Sequence, residues 1–351
     1  MSLWGILEII LKNSNLKIEI SYLILISLSL IFIKIQFSEN LMIQTNLLKY
    51  PKKYNWTAFN RGISNESVES LPLKADFKFM SMFIGLIDGD GYLEIGPQKQ
   101  YNKLTKLEMR STIRSRLVLR LEERDLNLLK YLQSVLNTGS LDYLKDKNQY
   151  RLIFSKSDLK NVIIPLISKY ELYFLVSNRR SQFKLLNYIL DNNIKHWDQL
   201  ELDKERSQFK IGGYAESDEN GYLKISNLVQ FPDWLIGFTI AEGSFGIKSN
   251  GSAFYSIRQT GILNMPLIQA IQLRLLGSLK TDIKPDNQDS YKITMSSRED
   301  IQKIVNFFSY SNHHPLLGYK SFQYKEFIIK LKNSKRYSNL NLPLMDSTSL
   351  K

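Results

Sequence analysis

Two acidic residues, Asp90 and Glu242, stand in closely matched surroundings. Each ends a run of apolar and small residues, FIGLIDGDG over 83–91 and LIGFTIAEG over 235–243, and each is followed by a glycine. Such a run reads as a helix, ended in the first copy by Gly89 and Gly91. Small residues four apart line one flank: Gly85 and Gly89 in the first run, Gly237 and Ala241 in the second. Two helices of this kind can bring their backbones close, because no side chain holds them apart. Side by side, they carry both carboxylates to the same end of the pair. There the negative end of each helix dipole and the second like charge both oppose ionisation. A divalent cation resolves both problems. It also supplies phosphate chemistry, by lowering the pKa of bound water and neutralising charge on a phosphate oxygen. One Gly-Asp-Gly after an apolar helix is ordinarily only a turn. Two matched copies in one basic chain point instead to a site. Asp88 lies outside the symmetry, since Ile240 takes its place in the second run, and it reads as a structural residue.

The rest of the chain narrows the chemistry. It has 351 residues, room for two ordinary domains or one large one. Lys and Arg number 47 against 34 Asp and Glu, a formal charge of +13 that favours a polyanionic partner. There is no Cys, which excludes a disulfide scaffold, a thiolate zinc site, an iron–sulfur cluster and a thiol nucleophile. The His residues are His196, His313 and His314, too few for a histidine-based catalytic network. His313 and His314 precede Pro315 and read as a surface turn. Any metal is expected on oxygen ligands, as Mg²⁺ or Mn²⁺. No small-molecule cofactor is expected. Usage rich in Ile, Leu, Lys, Asn, Ser and Tyr fits coding in an AT-rich genome such as an organelle's, with the mitochondrial matrix as the expected location.

The elements that must position the acids repeat along the chain. Residues 1–77 form an N-terminal extension. Its uncharged stretch Ile20 to Ile33 is short for a membrane span and leaves three readings: a loosely attached leader, a membrane anchor or a targeting peptide. After the first helix, Tyr92 to Ile95 suits a strand, and a basic ribbon follows. Between Pro97 and Arg124 there are eight Lys or Arg against three Glu. In its second arm Arg114, Arg116 and Arg120 alternate with Ser115, Leu117, Leu119 and Leu121, the period of a half-buried strand. A helix over 125–136, a hairpin across Lys145 to Asn148, and helices over 157–168 and 180–192 complete the first unit, 78–192. A linker over 193–230 leads to a second unit, 231–336, and a tail, 337–351. The second unit repeats the order: a helix from Pro232, strands, a helix from Pro266 stopped at Gly277, a strand pair, a helix over 298–309 and a last helix near Lys320. The expected fold is α/β (α+β), two pseudo-symmetric repeats of order α-β-β-α-β-β-α.

The two segments FIGLIDGDG and LIGFTIAEG resemble the LAGLIDADG motif of homing endonucleases and intron maturases. The segments YKITMSSREDIQKIVNFF and PLLGYKSFQYKEF resemble the second repeat of that family. The resemblance covers about Lys78 to Arg336. It implies a single-chain monomer with an internal pseudo-twofold, whose two antiparallel, saddle-shaped sheets lie in the DNA major groove. It implies that Asp90 and Glu242 bind metal, with the preceding carbonyls of Gly89 and Ala241 as further ligands. It implies a basic residue near the active site in each half, Lys320 in the second and Arg179 in the first, where Arg179-Arg180-Ser181-Gln182-Phe183 parallels Lys320-Ser321-Phe322-Gln323-Tyr324. A solvent-ordering polar residue on the sheet maps to Gln259, with Glu123 the candidate for its counterpart.

The physics of the ribbon agrees. Arg side chains on a two-stranded ribbon can pair with guanine edges or phosphates in the major groove. Lys99, Lys103, Arg114, Arg116, Arg120 and Arg258 are the DNA-binding candidates. The expected function is a site-specific, metal-dependent DNA endonuclease, intron-encoded as the resemblance implies, leaving a staggered double-strand break. The alternative is an RNA maturase that helps its host intron splice, with or without DNA cleavage.

Overall fold

The computed structural model describes residues 74–200, 221–279, 283, 285–287 and 289–344. The stretch Ile20 to Ile33, residues 201–220 of the expected linker and residues 345–351 of the expected tail lie outside these residues. Among the described residues, no helix is long and apolar enough to cross a membrane.

The first motif forms helix α1, Phe77–Asp90. Asp76 caps it by accepting the Phe79 N–H at 2.8 Å. Every residue from Phe79 to Asp88 is buried, as befits a helix apolar on all sides. Gly89 does not end this helix, contrary to the expectation from sequence. The helix runs through Gly89 and Asp90 and gives way at Gly91, whose φ of −87° is extended and continues directly into a strand. A Cβ on Gly91 would lie 2.8 Å from the Ile87 side chain, so the close approach of strand to helix requires glycine there. Strands β1, Gly91–Tyr101, and β2, Glu108–Glu122, form the ribbon. Helix α2, Leu126–Leu136, follows, then the hairpin of β3, Ser140–Leu144, and β4, Gln149–Phe154. Asn148 turns that hairpin with φ of 50°. Helix α3 runs in three consecutive pieces, Lys156–Asp158, a π turn Leu159–Ile163, and Ile164–Lys169. Helix α4, Ser177–Asp191, closes the repeat.

After a short helix α5, Gly221–Ser226, the programme recurs. Its elements are α6, Phe231–Glu242; β5, Gly243–Ile247; β6, Ala253–Thr260; α7, Met265–Leu276; β7, Pro285–Asn287; β8, Ser290–Met295; α8, Arg298–Val305; and α9, Gly318–Lys332. A π turn, Asn306–Tyr310, again follows the helix after the hairpin. Gly277 stops α7 in the left-handed region, as its place in the sequence predicts. The two sheets share one topology, β1-β2-β4-β3 and β5-β6-β8-β7, all antiparallel. Their registers match as well. Gly91 pairs with Leu119 as Gly243 pairs with Ile257, which makes Arg120 the twofold equivalent of Arg258.

The ribbon is longer in the first repeat, 11 and 15 residues against 5 and 8. Its outer half has no β4 beside it, because β4 covers β2 only from Leu117 onward. The start of the expected linker takes that place. Thr112 bridges His196, the Ile113 N–H donates to the Lys195 carbonyl at 3.0 Å, and Arg110 pairs with Asp198 at 3.0 Å. Beneath them Ile113, Ile189, Ile194 and Leu200 form a small separate core. An exposed strand edge is thereby covered. Residues 194–200 thus belong structurally to the first repeat.

Candidate active site at the helix pair

The two motif helices meet along their small residues. A Cβ on Gly85 would strike the Trp234 carbonyl oxygen, with the Phe238 nitrogen 3.0 Å away. A Cβ on Gly237 would strike the Met82 carbonyl oxygen, with the Leu86 nitrogen at 2.7 Å. One on Gly89 would strike the Ala241 Cβ and lie 3.4 Å from the Glu242 Cγ. Backbone therefore rests on backbone, and residues 89 and 241 touch just before the acids. Asp88 locks the pair from the side: its Oδ2 accepts the Trp234 Nε1–H at 2.8 Å and the Leu175 N–H at 2.7 Å. It is a structural residue, as its lack of a counterpart suggested. Burial raises its carboxyl to about 7.

Asp90 and Glu242 come together at the end of this pair. Burial, and then the Glu242 carboxylate, raise Asp90 from 3.8 to about 7, while Lys320 opposes the rise. Burial raises Glu242 too, against Lys320 and Arg258. Lys320 reaches over the junction. Its Nζ donates to the Gly243 carbonyl at 2.6 Å, and burial lowers its pKa against the pull of Asp90, Asp125 and Glu242. A cavity of about 260 Å³ opens beside Asp90, lined by Lys320, Gln323, Arg120, Asp125 and Gln149 among others. Two carboxylates whose ionisation is opposed, and last-turn carbonyls that lack helical partners, suit a hard divalent cation. Among the described residues no group of three or more His, Cys, Asp or Glu is placed to hold a metal ion, so protein carboxylates would fill only part of a coordination shell.

The other expected residues divide. Arg120 and Arg258, twofold equivalents, flank the acids: Arg120 lines the cavity beside Asp90, and Arg258 is a charge neighbour of Glu242 that also donates to Ser290 Oγ at 2.9 Å. Arg114 and Arg116 face the same side as Arg120 but share one carboxylate, Glu94, at 3.2 and 2.6 Å. Their net contribution to the ribbon is therefore smaller than two free charges. Lys99 sits on exposed β1 where the register slips between Gln98 and Gln100, and Lys103 is exposed at the ribbon tip. Arg179 does not take the place expected from its parallel with Lys320. It bonds Gln182 at 2.8 Å, and its acidic neighbour is Asp88, a residue that only the first motif carries. Gln259 is not among the residues that line the cavity beside Asp90. Strand alternation turns it to the side of Tyr255 and Ile257, away from Arg258, and its amide donates to the Thr260 carbonyl at 3.5 Å. Its twofold counterpart is the buried Leu121, and Glu123 stands two residues further on, in a 3₁₀ turn.

Three contributors escaped the sequence. Asp125 reads as the start of a helix, Gln149 as part of a hairpin and Gln323 as one residue of a repeat. Only packing brings them to one cavity. His313 and His314 correct another expectation. They are partly buried, with His313 against Phe307 and His314 against Phe79, and the His314 N–H donates to Asp233 at 2.5 Å. His314 ties together the far ends of both motif helices.

The fold and site define a two-repeat α/β protein with a carboxylate pair on its internal axis, framed by basic side chains. Residues 83–190 and 235–331 match the LAGLIDADG endonuclease family. The chain belongs to that family. The probable intron-encoded endonuclease aI3 of Dictyostelium citrinum is 23% identical over 260 residues, 72% of this chain and 96% of that protein. The probable intron-encoded endonuclease 3 of Neurospora crassa is 28% identical over 265 residues, 68% of this chain and 47% of that longer protein. The crystal structure of the LAGLIDADG meganuclease I-CpaMI bound to uncleaved DNA superposes with a TM-score of 0.52 at 20% identity, covering 72% of this chain and 92% of that one. That likeness establishes the fold: paired repeats with one antiparallel sheet each.

Proposed function

We propose that the chain is an intron-encoded homing endonuclease that cuts both strands of a double-stranded DNA site and acts as a monomer. The observation that carries this reading is the junction of Asp90 and Glu242 at the end of a backbone-to-backbone helix pair, with Lys320 above it. One acid serves each strand, which gives a staggered break. Asp90 and Glu242, with the Gly89 and Ala241 carbonyls, would hold Mg²⁺ or Mn²⁺. A bound divalent ion supplies an activated water and charge neutralisation at the phosphate. The residues of the chain do the rest. Lys320 stabilises charge that develops on the scissile phosphate, where a preorganised cation in a water-poor site acts strongly. Arg120 and Arg258 hold the phosphates nearest the acids. Arg114, Arg116, Lys99 and Lys103 extend the contact along the ribbon. Arg179 steadies Asp88 and so the helix pair.

Relatives named as intron-encoded endonucleases, together with the AT-leaning composition, support an organellar gene. The retention of both acids favours DNA cleavage over RNA maturation. The test is purified protein with Mg²⁺ and a library of long randomised duplexes. Double-strand cleavage of a recovered site, lost in Asp90→Asn while binding persists, is the expected result. Folded protein that cuts no duplex, or that stimulates splicing of an intron transcript and cuts nothing, would refute it.

A further inference from the structure

Asp125 belongs to the first repeat and Lys320 to the second, yet the two share one cavity. The link between them is a main-chain bond. Asp125 Oδ1 accepts the Tyr319 N–H at 2.7 Å across the repeat boundary, at the first turn of α9. That N–H has no partner within its own helix, so the side chain caps α9 from the opposite repeat. The approach is close enough to dictate the neighbouring residue. Gly318 has φ of 60°, and a Cβ there would strike Asp125 Oδ1 and come within 3.1 Å of Leu128. Arg124 adds a second tie, its guanidinium lying 3.9 Å from the centre of the Tyr319 ring.

The twofold repeats the device with a different residue. The 3₁₀ turn Glu123–Asp125 corresponds to Ile262–Asn264. Asn264 Oδ1 accepts the Ser177 N–H at 3.0 Å, again at the first residues of the opposite repeat's last helix. Its own amide is held by the Thr260 carbonyl at 2.7 Å. Both last helices are thus capped from across the boundary, one by a carboxylate and one by an amide.

We propose that Asp125 is a positioning residue for the cleavage reaction: by clamping the first turn of α9 to the first repeat, it sets Lys320 over the acid pair, and Asn264 is its counterpart at α4. This rests on the endonuclease reading above. A clamp that acts on a single helix predicts an effect on a single strand.

The experiment uses the full-length protein and a duplex recovered by its own cleavage with Mg²⁺, each strand end-labelled separately. Lys320→Ala identifies the strand that Lys320 serves. Asp125→Ala is expected to slow that same strand about tenfold to a hundredfold, the loss that a displacement of about 1 Å causes, while the other strand keeps its rate. Asp125→Asn retains the acceptor oxygen and is expected to restore the rate. Asn264→Ala is expected to spare the strand that Lys320 serves. Equal slowing of both strands by Asp125→Ala, or an Asn variant as slow as the Ala variant, would overturn the proposal. Amide hydrogen exchange decides the clamp without DNA: protection of the Tyr319 N–H should fall in Asp125→Ala and survive in Asp125→Asn. If Asp125→Ala does not fold, Asp125→Ser, whose shorter side chain cannot span the gap, takes its place in both assays. Unchanged Tyr319 exchange in that variant would overturn the proposal. A parent protein that cuts no duplex sinks the endonuclease reading and leaves the exchange result to judge the clamp.

Discussion

A backbone contact that sets the approach of the two motif helices, and with it the separation of the acids they carry, is the bed of Gly237, and Gly237→Ala tests it. The added methyl would meet backbone, which cannot rotate away: the Met82 carbonyl oxygen first, then the Leu86 nitrogen at 2.7 Å and the Met82 carbonyl carbon at 2.8 Å. Comfortable contact for such atoms is about 3.5 to 4 Å, so the helices must part by at least about 1 Å. Overpacking of a close-packed core costs about 1–3 kcal/mol, and a rigid neighbour places this case near about 3 kcal/mol. Native stability of about 5–15 kcal/mol leaves the variant folded. Moving Asp90 from Glu242 by roughly 1 Å should lower the cleavage rate about a hundredfold. The assay is urea denaturation followed by tryptophan fluorescence, since Trp234 lies within the packed pair, together with single-turnover cleavage of a recovered duplex. Gly96→Ala is the control. A Cβ there meets nothing within 4 Å, so both readouts should stay near those of the parent. A Gly237→Ala protein with the midpoint and rate of the Gly96→Ala protein would refute the argument that backbone contact holds the acids together.

Three further outcomes are expected. Asp233 is pushed by burial to about 6 while it accepts the His314 N–H, so the folded state holds a proton that the unfolded chain releases near 3.8; its contribution is full below about 4 and is lost as pH rises through 6, up to about 3 kcal/mol at 1.36 kcal/mol per pH unit. Asp233→Asn keeps the acceptor without the charge, and its stability relative to the parent should rise across that window in urea melts at successive pH values; a constant difference would count against the assignment. Arg114→Ala with Arg116→Ala should weaken duplex binding and flatten the dependence of log K on log salt by less than the about 1.8 that two fully engaged arginines would give, because Glu94 already neutralises part of their charge. Filter binding at stepped salt concentrations measures it, and a change as large as two full charges would contradict the shared ion pair. Arg120→Ala should slow cleavage about tenfold or more, and Gln259→Ala should not, because only Arg120 is delivered to the cavity with Asp90; a deficit in Gln259→Ala matching that of Arg120→Ala would reverse this ordering.

Much of the protein is legible from its chain because the relevant signals are local. Period-two alternation from Arg114 to Leu121 fixed the two faces of β2, and they are those observed: Leu117, Leu119 and Leu121 buried, the arginines on the other side. Matched runs before Asp90 and Glu242, with small residues four apart, announced two helices able to touch. Gly89 departs from that local pattern. Glycine beyond an apolar run looks like a terminator, yet here it continues the helix and makes room for Ala241, a need that exists only once the partner helix is present.

What the tertiary structure alone decided is which charge meets which. The bond from Asp125 to Tyr319 spans 194 residues, and no periodicity carries information over that distance. Arg179 and Lys320 occupy parallel places in the sequence but meet different acids, Asp88 for the first and Asp90, Asp125 and Glu242 for the second. Residue types and their spacing therefore specified the elements and the two acids, through hydrophobic pattern and close-packing geometry. The surroundings that tune those acids arise from contacts between distant elements, whose energies exist only in the assembled fold.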